Sequence, residues 1–206
     1  MSEEERSPRG VSGLTLLDLV VTLAVLAVAT AVTVPPLLEA SRRLRLDTAA
    51  RQVAHTFHLA RSYAVRHSAN VGVRFNPDTG GEGRVSWTLY RDGDGDGVSS
   101  EDVRRGVDPP IGPRERALTP FGRGVAFGFP PGDPPREVGG GGRLDRLDDP
   151  IRFNRSDIAS FASLGTATPG TAYLTDGRDG LMCVRVSSLS GRIRVLTYDA
   201  EKEEWR

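Results

Sequence analysis

From Leu19 to Leu38 the chain carries no charged residue. At about 1.5 Å rise per residue, a helix over those twenty positions spans roughly 30 Å, the hydrocarbon thickness of a bilayer. Leu16, Leu17, Leu19, Val20, Val21, Leu23, Val25, Leu26, Val28 and Val32 point in every direction around such a helix. A helix that is apolar all round is either buried on every side or dissolved in lipid. The sequence therefore predicts a transmembrane helix over 14–38, with one acid, Asp18, inside its amino-terminal edge.

The segment before that helix has the wrong order for an ordinary secretory signal, whose cleavage site follows its apolar stretch. Here a short charged leader, residues 1–13, ends at Gly13, ahead of the apolar run, so a cut there would leave the helix on the mature chain. Gly13, Leu14, Thr15, Leu16 and Asp18 together resemble the type III signal of type IV pilins and secretion pseudopilins. The resemblance implies that a prepilin peptidase cuts after Gly13 and methylates the new amino terminus at Leu14. Thr15 then takes the second mature position. Asp18 takes the fifth, where the family usually has Glu, and Pro35 falls where these helices commonly carry a proline.

An ionised carboxylate in a membrane helix is costly near the bilayer centre and less so near the interface, so it normally has a partner. The resemblance implies that Asp18 meets the amino terminus of a neighbouring subunit during filament assembly, and that other pilins or pseudopilins pack against this helix. The plain alternative is an interfacial acid at headgroup depth. Basic residues flank both ends of the span, Arg6 and Arg9 before it and Arg42, Arg43 and Arg45 after it, so charge does not set the orientation. The resemblance does: leader in the cytoplasm, single pass through the inner membrane, head in the periplasm of a bacterium.

Beyond the span, Ala50, Val53, Phe57, Ala60 and Ala64 recur at steps of three and four, which draws one helical face over residues 39–70. Arg51, His55, His58, Arg61 and Arg66 occupy the other face. Pro35 and Pro36 are expected to kink or loosen the helix, and its end is expected near Ser68–Asn70. Residues 71–206 then read as a β-rich head. Expected strands are Val71–Phe75, Val85–Tyr90, Val125–Phe129, Ile151–Phe153, Ala172–Thr175, Leu181–Ser187 and Arg192–Tyr198. A turn at Asn76–Gly81 and a hairpin at Ser188–Gly191 join two pairs of them. Pro/Gly-rich stretches at 106–114 and 130–142 read as loops, with Gly139–Gly142 mobile, and the charged tail Glu201–Arg206 reads as exposed.

Three constellations could carry chemistry. Asp92, Asp94 and Asp96 with Gly97 match the front half of a calcium loop, which surrounds the ion with hard oxygen ligands. Position 12, which should supply a bidentate carboxylate, is Val103, so Glu101 and Asp102 are the candidates for completing the set; the alternative is a solvated acidic turn. His55 and His58 lie three apart on the helix without a third ligand, and His67 is expected to meet the terminal carbonyls. Cys183 is the sole cysteine and sits in an apolar run, which predicts a buried thiol. There is no Gly-x-Ser-x-Gly sequence and no phosphate loop, so nothing argues for an enzyme. Removing the leader takes three of 27 acids and two of 27 bases, leaving a net charge near +1 and no broad basic footprint.

A long amino-terminal helix followed by antiparallel strands, with Gly191, Arg192, Ile193 and Arg194 in the last hairpin, resembles the GspH/FimT branch of the pilin family. The resemblance implies an α+β, pilin-like fold in which the helix packs on an antiparallel β-sheet head. It implies a non-enzymatic minor pilin or pseudopilin, assembled into a type II secretion pseudopilus or a type IV pilus. It also opens an alternative, a DNA-binding minor pilin of a natural-transformation pilus, in which Arg192 and Arg194 contact phosphates.

Overall fold

The computed structural model describes residues 15–77, 85–113, 115–118, 124–154 and 156–206. Gly13, Leu14 and most of the turn expected after Pro77 lie outside the described residues. One helix, α1, runs from Leu16 to His67, and the chain divides into compact units at Ser41 and Arg42.

In the first unit, every residue from Leu16 to Ala40 is exposed, and the most apolar eighteen-residue window has a mean hydropathy of 2.3. That length and composition suffice to cross a membrane. Pro35 and Pro36 lie inside α1 without ending it. Their missing amides leave the carbonyls four residues earlier without a helical donor.

In the second unit, the rest of α1 buries Leu46, Ala49, Ala50, Val53, Ala54, Phe57, Ala60 and Ala64, the face that the three-and-four spacing draws. Most of these are alanines, which let strands approach the helix backbone closely, and Phe57 fills the space between. α1 ends at His67 because Ser68 turns into the left-handed region at φ 49°. The Ala69 amide then donates to the Ala64 carbonyl at 3.2 Å, the longer of the two bonds that close a Schellman cap. His67 stacks on Tyr63 with ring centroids 4.1 Å apart, in place of the carbonyl contact expected for it.

Among the described residues, ten strands and one short helix follow. The first sheet holds β1 (Val71–Pro77), β2 (Val85–Arg91), β3 (Arg116–Ala117) and β6 (Ile158–Phe161) in the order β3-β2-β1-β6. The second holds β4 (Ala126–Phe127), β5 (Ile151–Arg152), β7 (Gly170–Thr175), β8 (Leu181–Val186), β9 (Ile193–Asp199) and β10 (Glu204–Trp205). Its order is β10-β9-β8-β7-β4, with β5 also on β7. Among the described residues, every strand pairing is antiparallel.

α1 and both sheets share one core. Phe57 stands at its centre, with ring centroids 6.0 Å from Phe75, 5.6 Å from Phe153 and 5.9 Å from Phe161. Trp87 packs on Phe75 and Phe127, and its indole Nε1 donates to Thr56 Oγ1 at 3.3 Å.

The second sheet is buried on its outer face as well. There Tyr173, Leu181 and Cys183 meet Val138 and Leu144 from the 130–150 segment. Two covered faces explain why β7 and β8 read as nearly continuous apolar runs. Within the segment over this face, the Glu137 amide donates to Gly142 O at 2.9 Å, which closes the glycine turn.

Glu201, Lys202, Glu204 and Arg206 are exposed, as expected of the tail, while Glu203 and Trp205 are half-buried. Trp205 packs on Tyr198 and Tyr173 at 5.0 and 5.8 Å, and its Nε1 donates to Arg136 O at 2.7 Å. Glu203 pairs with Arg136 and Arg143. The surrounding charge hid one aromatic that completes the outer core. β3, β6 and β10 are further elements that the sequence pattern leaves unmarked, as is α2 (Ser100–Arg105).

Candidate functional site

At the start of α1, Thr15 and Asp18 close on each other. The Asp18 amide donates to Thr15 Oγ1 at 3.2 Å. In return Asp18 Oδ2 accepts from the Thr15 amide at 3.0 Å and from its hydroxyl at 2.7 Å. This is the reciprocal pattern of a capping box, with Asp in the place more often held by Glu or Gln. Its anion also lies in the first turn, where the helix dipole favours negative charge. The three-residue spacing of Thr15 and Asp18 was the available signal for this box. Asp18 thus anchors the first turn of its own helix through one carboxylate oxygen.

The acidic loop follows β2. Asp92, Asp94 and Asp96 each place a carboxylate oxygen within 4.8 Å of the others, which is where a divalent cation would find hard ligands. Asp92 is buried, and the chain itself uses its carboxylate: Oδ1 accepts from the Gly95 amide at 2.7 Å, and Oδ2 from Gly97 at 3.0 Å and Asn70 Nδ2 at 2.7 Å. Burial alone would raise the Asp92 carboxyl, but these donors outweigh it and hold it below its ordinary value. Asp94 pushes Asp96 the other way, through a hydrogen bond and like-charge repulsion.

Asp102 is not in that cluster; it lies in the first turn of α2, whose N-cap is Ser99. The Ser99 hydroxyl donates to Asp102 Oδ2 and accepts from the Asp102 amide at 3.1 Å, and Gly106 closes the far end at φ 78°. The acid that sequence reasoning missed is Asp108, which is 1% exposed and accepts from the amides of Gly93 and Ser99 at 3.0 and 3.1 Å. Two buried carboxylates therefore hold this loop by its backbone amides.

Arg192, just before β9, and Arg194, its second residue, are both exposed. The glycine before them is set by packing. Gly191 has φ 55°, and a β-carbon there would lie 2.3 Å from the Gly165 carbonyl oxygen and 3.1 Å from Arg61 Nε. Arg61 reaches across from α1 to donate to Ser190 O at 2.9 Å. His55 and His58 are exposed on α1, and among the described residues no third ligand gathers with them. Cys183 is buried, as expected, and burial pushes its thiol up to about 12.

Taken together, an apolar helix long enough to span a bilayer, opened by a threonine–aspartate box, precedes a two-sheet antiparallel head. Residues 49–191 match the family described as type II transport protein GspH, and the chain belongs to that family. Two solved structures of the minor pseudopilin EpsH from the type 2 secretion system of Vibrio cholerae are similar to it. One is 16% identical, with a TM-score of 0.44, covering 74% of this chain and 97% of that one. The other is 18% identical, with a TM-score of 0.40, covering 73% of this chain and 94% of that one. No curated protein matches the chain.

Proposed function

We propose that the protein is a non-enzymatic minor pseudopilin of type II secretion, cut by a prepilin peptidase after Gly13, methylated at Leu14 and drawn from the inner membrane into a pseudopilus. The observation that carries this reading is the apolar stretch of α1 from Leu16 to Ala40, exposed throughout and opened by the Thr15–Asp18 box, in a chain of the GspH family. An exposed apolar surface of that extent needs lipid or other such helices around it. Asp18 keeps a second oxygen that makes no bond within the described residues' capping box, and that oxygen is the one offered to a neighbour's amino terminus. Pro35 then loosens the hydrogen-bond ladder where helices pack in the fibre. The head stands in the periplasm and presents its loops to secretion partners.

The test is incubation of the full-length protein with prepilin peptidase, followed by mass spectrometry. Loss of residues 1–13 and a methylated Leu14 are expected. An intact leader, or a cut after the apolar run, overturns the reading. The second reading, a DNA-binding minor pilin, draws support from the exposure of Arg192 and Arg194. It predicts binding of an oligonucleotide duplex that weakens with salt and with loss of either arginine.

A further inference from the structure

The outer face of the second sheet carries a row of arginines unused by the core and by the pseudopilin reading. Across β5, β7, β8 and β9 the register runs Arg152, Thr171, Arg185, Arg194. Residues directly opposite one another across paired strands share a face, so the three arginines lie on one side. Arg152 and Arg185 line a cleft of about 400 Å³, together with Thr171, Tyr173, Ser187 and Ser188.

Backbone carbonyls hold both guanidinium groups. Arg152, with its side chain 25% exposed, donates to Asp149 O at 3.0 Å and to Arg146 O, and lies 6.0 Å from the Tyr173 ring centroid. Arg185 donates to Val138 O. Carbonyls orient a guanidinium without cancelling its charge. Among the described residues, the carboxylate paired with this row is Asp145, 3.5 Å from Arg152 and 82% exposed. Glu137 also lines the cleft, but its carboxylate lies over Gly140, where a β-carbon would come within 2.6 Å of Oε2. Arg185 faces Arg194 directly, and like charges in that position are destabilising. An anion in the cleft relieves that repulsion and gains charge-assisted hydrogen bonds from a planar fork suited to two oxygens.

We propose that this cleft binds an oxyanion group, a carboxylate or a phosphate, through Arg152 and Arg185. The hydroxyls of Thr171 and Ser187 add donors, and Arg194 adds positive potential from the next strand. The site is independent of the acidic loop and of the membrane helix.

The test is calorimetric titration of the full chain in a neutral detergent, with inorganic phosphate in one arm and citrate in another, each against chloride at matched ionic strength. Saturable binding of either anion is expected; which arm binds identifies the source of the group. Arg185→Gln should weaken it by about tenfold or more, the loss of one charge-assisted contact. Because Arg185 also holds Val138, Arg194→Gln is the second variant; its exposed side chain can be lost without disturbing the fold, and a two- to threefold weakening is expected, on the order of a screened surface charge. No saturable binding above chloride overturns the proposal, as does binding that both variants leave unchanged. Duplex oligonucleotide binding that needs Arg192, with neither phosphate nor citrate bound, overturns it in favour of an extended nucleic-acid surface.

Discussion

Replacing Gly191 with alanine separates what the Gly-Arg-x-Arg segment does for the fold from what it offers to partners. Gly191 has φ 55°, a region that costs an L-residue about 1 kcal/mol. The added β-carbon would sit 2.3 Å from Gly165 O, a separation real β-carbons do not show, and both sides of that contact are backbone. Relief requires the 162–167 and 187–192 turns to part. That strains the Arg61–Ser190 hydrogen bond at 2.9 Å and the Ala167–Ser188 backbone bond at 3.0 Å, each worth about 1 kcal/mol net.

The sum is about 3 kcal/mol. For a unit the size of residues 42–206, that corresponds to a fall of roughly 6–12 °C in Tm. Arg192→Ala and Arg194→Ala, at exposed positions, should each stay within about 0.5 kcal/mol of the native protein. Near-ultraviolet circular dichroism of the full chain in detergent, followed through thermal unfolding, reads all three. If Gly191→Ala melts within about 2 °C of the native protein, the close-approach argument is wrong.

Phe57→Ala should cost about 3–5 kcal/mol, because its ring is fully buried among Phe75, Phe153 and Phe161 and no neighbour can collapse into the space; urea denaturation measures it. Cys183 should resist thiol reagents at pH 8 in the folded protein and react on unfolding. The Cys183 thiol is raised by burial from 9.0 to about 12, with Arg185 pulling only partly the other way, so the native state keeps a proton that the unfolded chain releases. The resulting stabilisation is complete below pH 9 and lost as pH climbs towards 12. Urea midpoints should therefore fall across that window, with a shallower fall in Cys183→Ala. A residual slope should remain from Tyr173, which burial raises from 10.0 to about 12.

What could be read from the residues was local. The buried stripe of α1 follows from spacing alone, since a 3.6-residue period puts Ala50, Val53, Phe57, Ala60 and Ala64 on one face. β1, β2, β7, β8 and β9 were legible because each holds six or seven residues of apolar or alternating character between strong turn signals. β3 and β10 have two residues each, too short for any period to register, and they exist because a longer strand offers them an edge. α2 was signalled by Ser99 and Asp102 three apart, a spacing that the calcium-loop pattern claimed for itself.

The amino-acid sequence by itself determined that this chain has a bilayer-length apolar helix with an acid at its head, because lipid solubility depends on composition along a single segment. It determined the face of α1 that is buried, because helical period is intrinsic to the backbone. The tertiary structure decided which face of the second sheet collects Arg152, Arg185 and Arg194, since strands forty residues apart in the chain meet there in a register that no local pattern encodes. It also decided that Gly191 must be glycine, and that Trp205, in an otherwise exposed tail, packs against the outer core. Contacts between distant segments depend on how the whole chain closes, and the free energy of closure is shared among all of them.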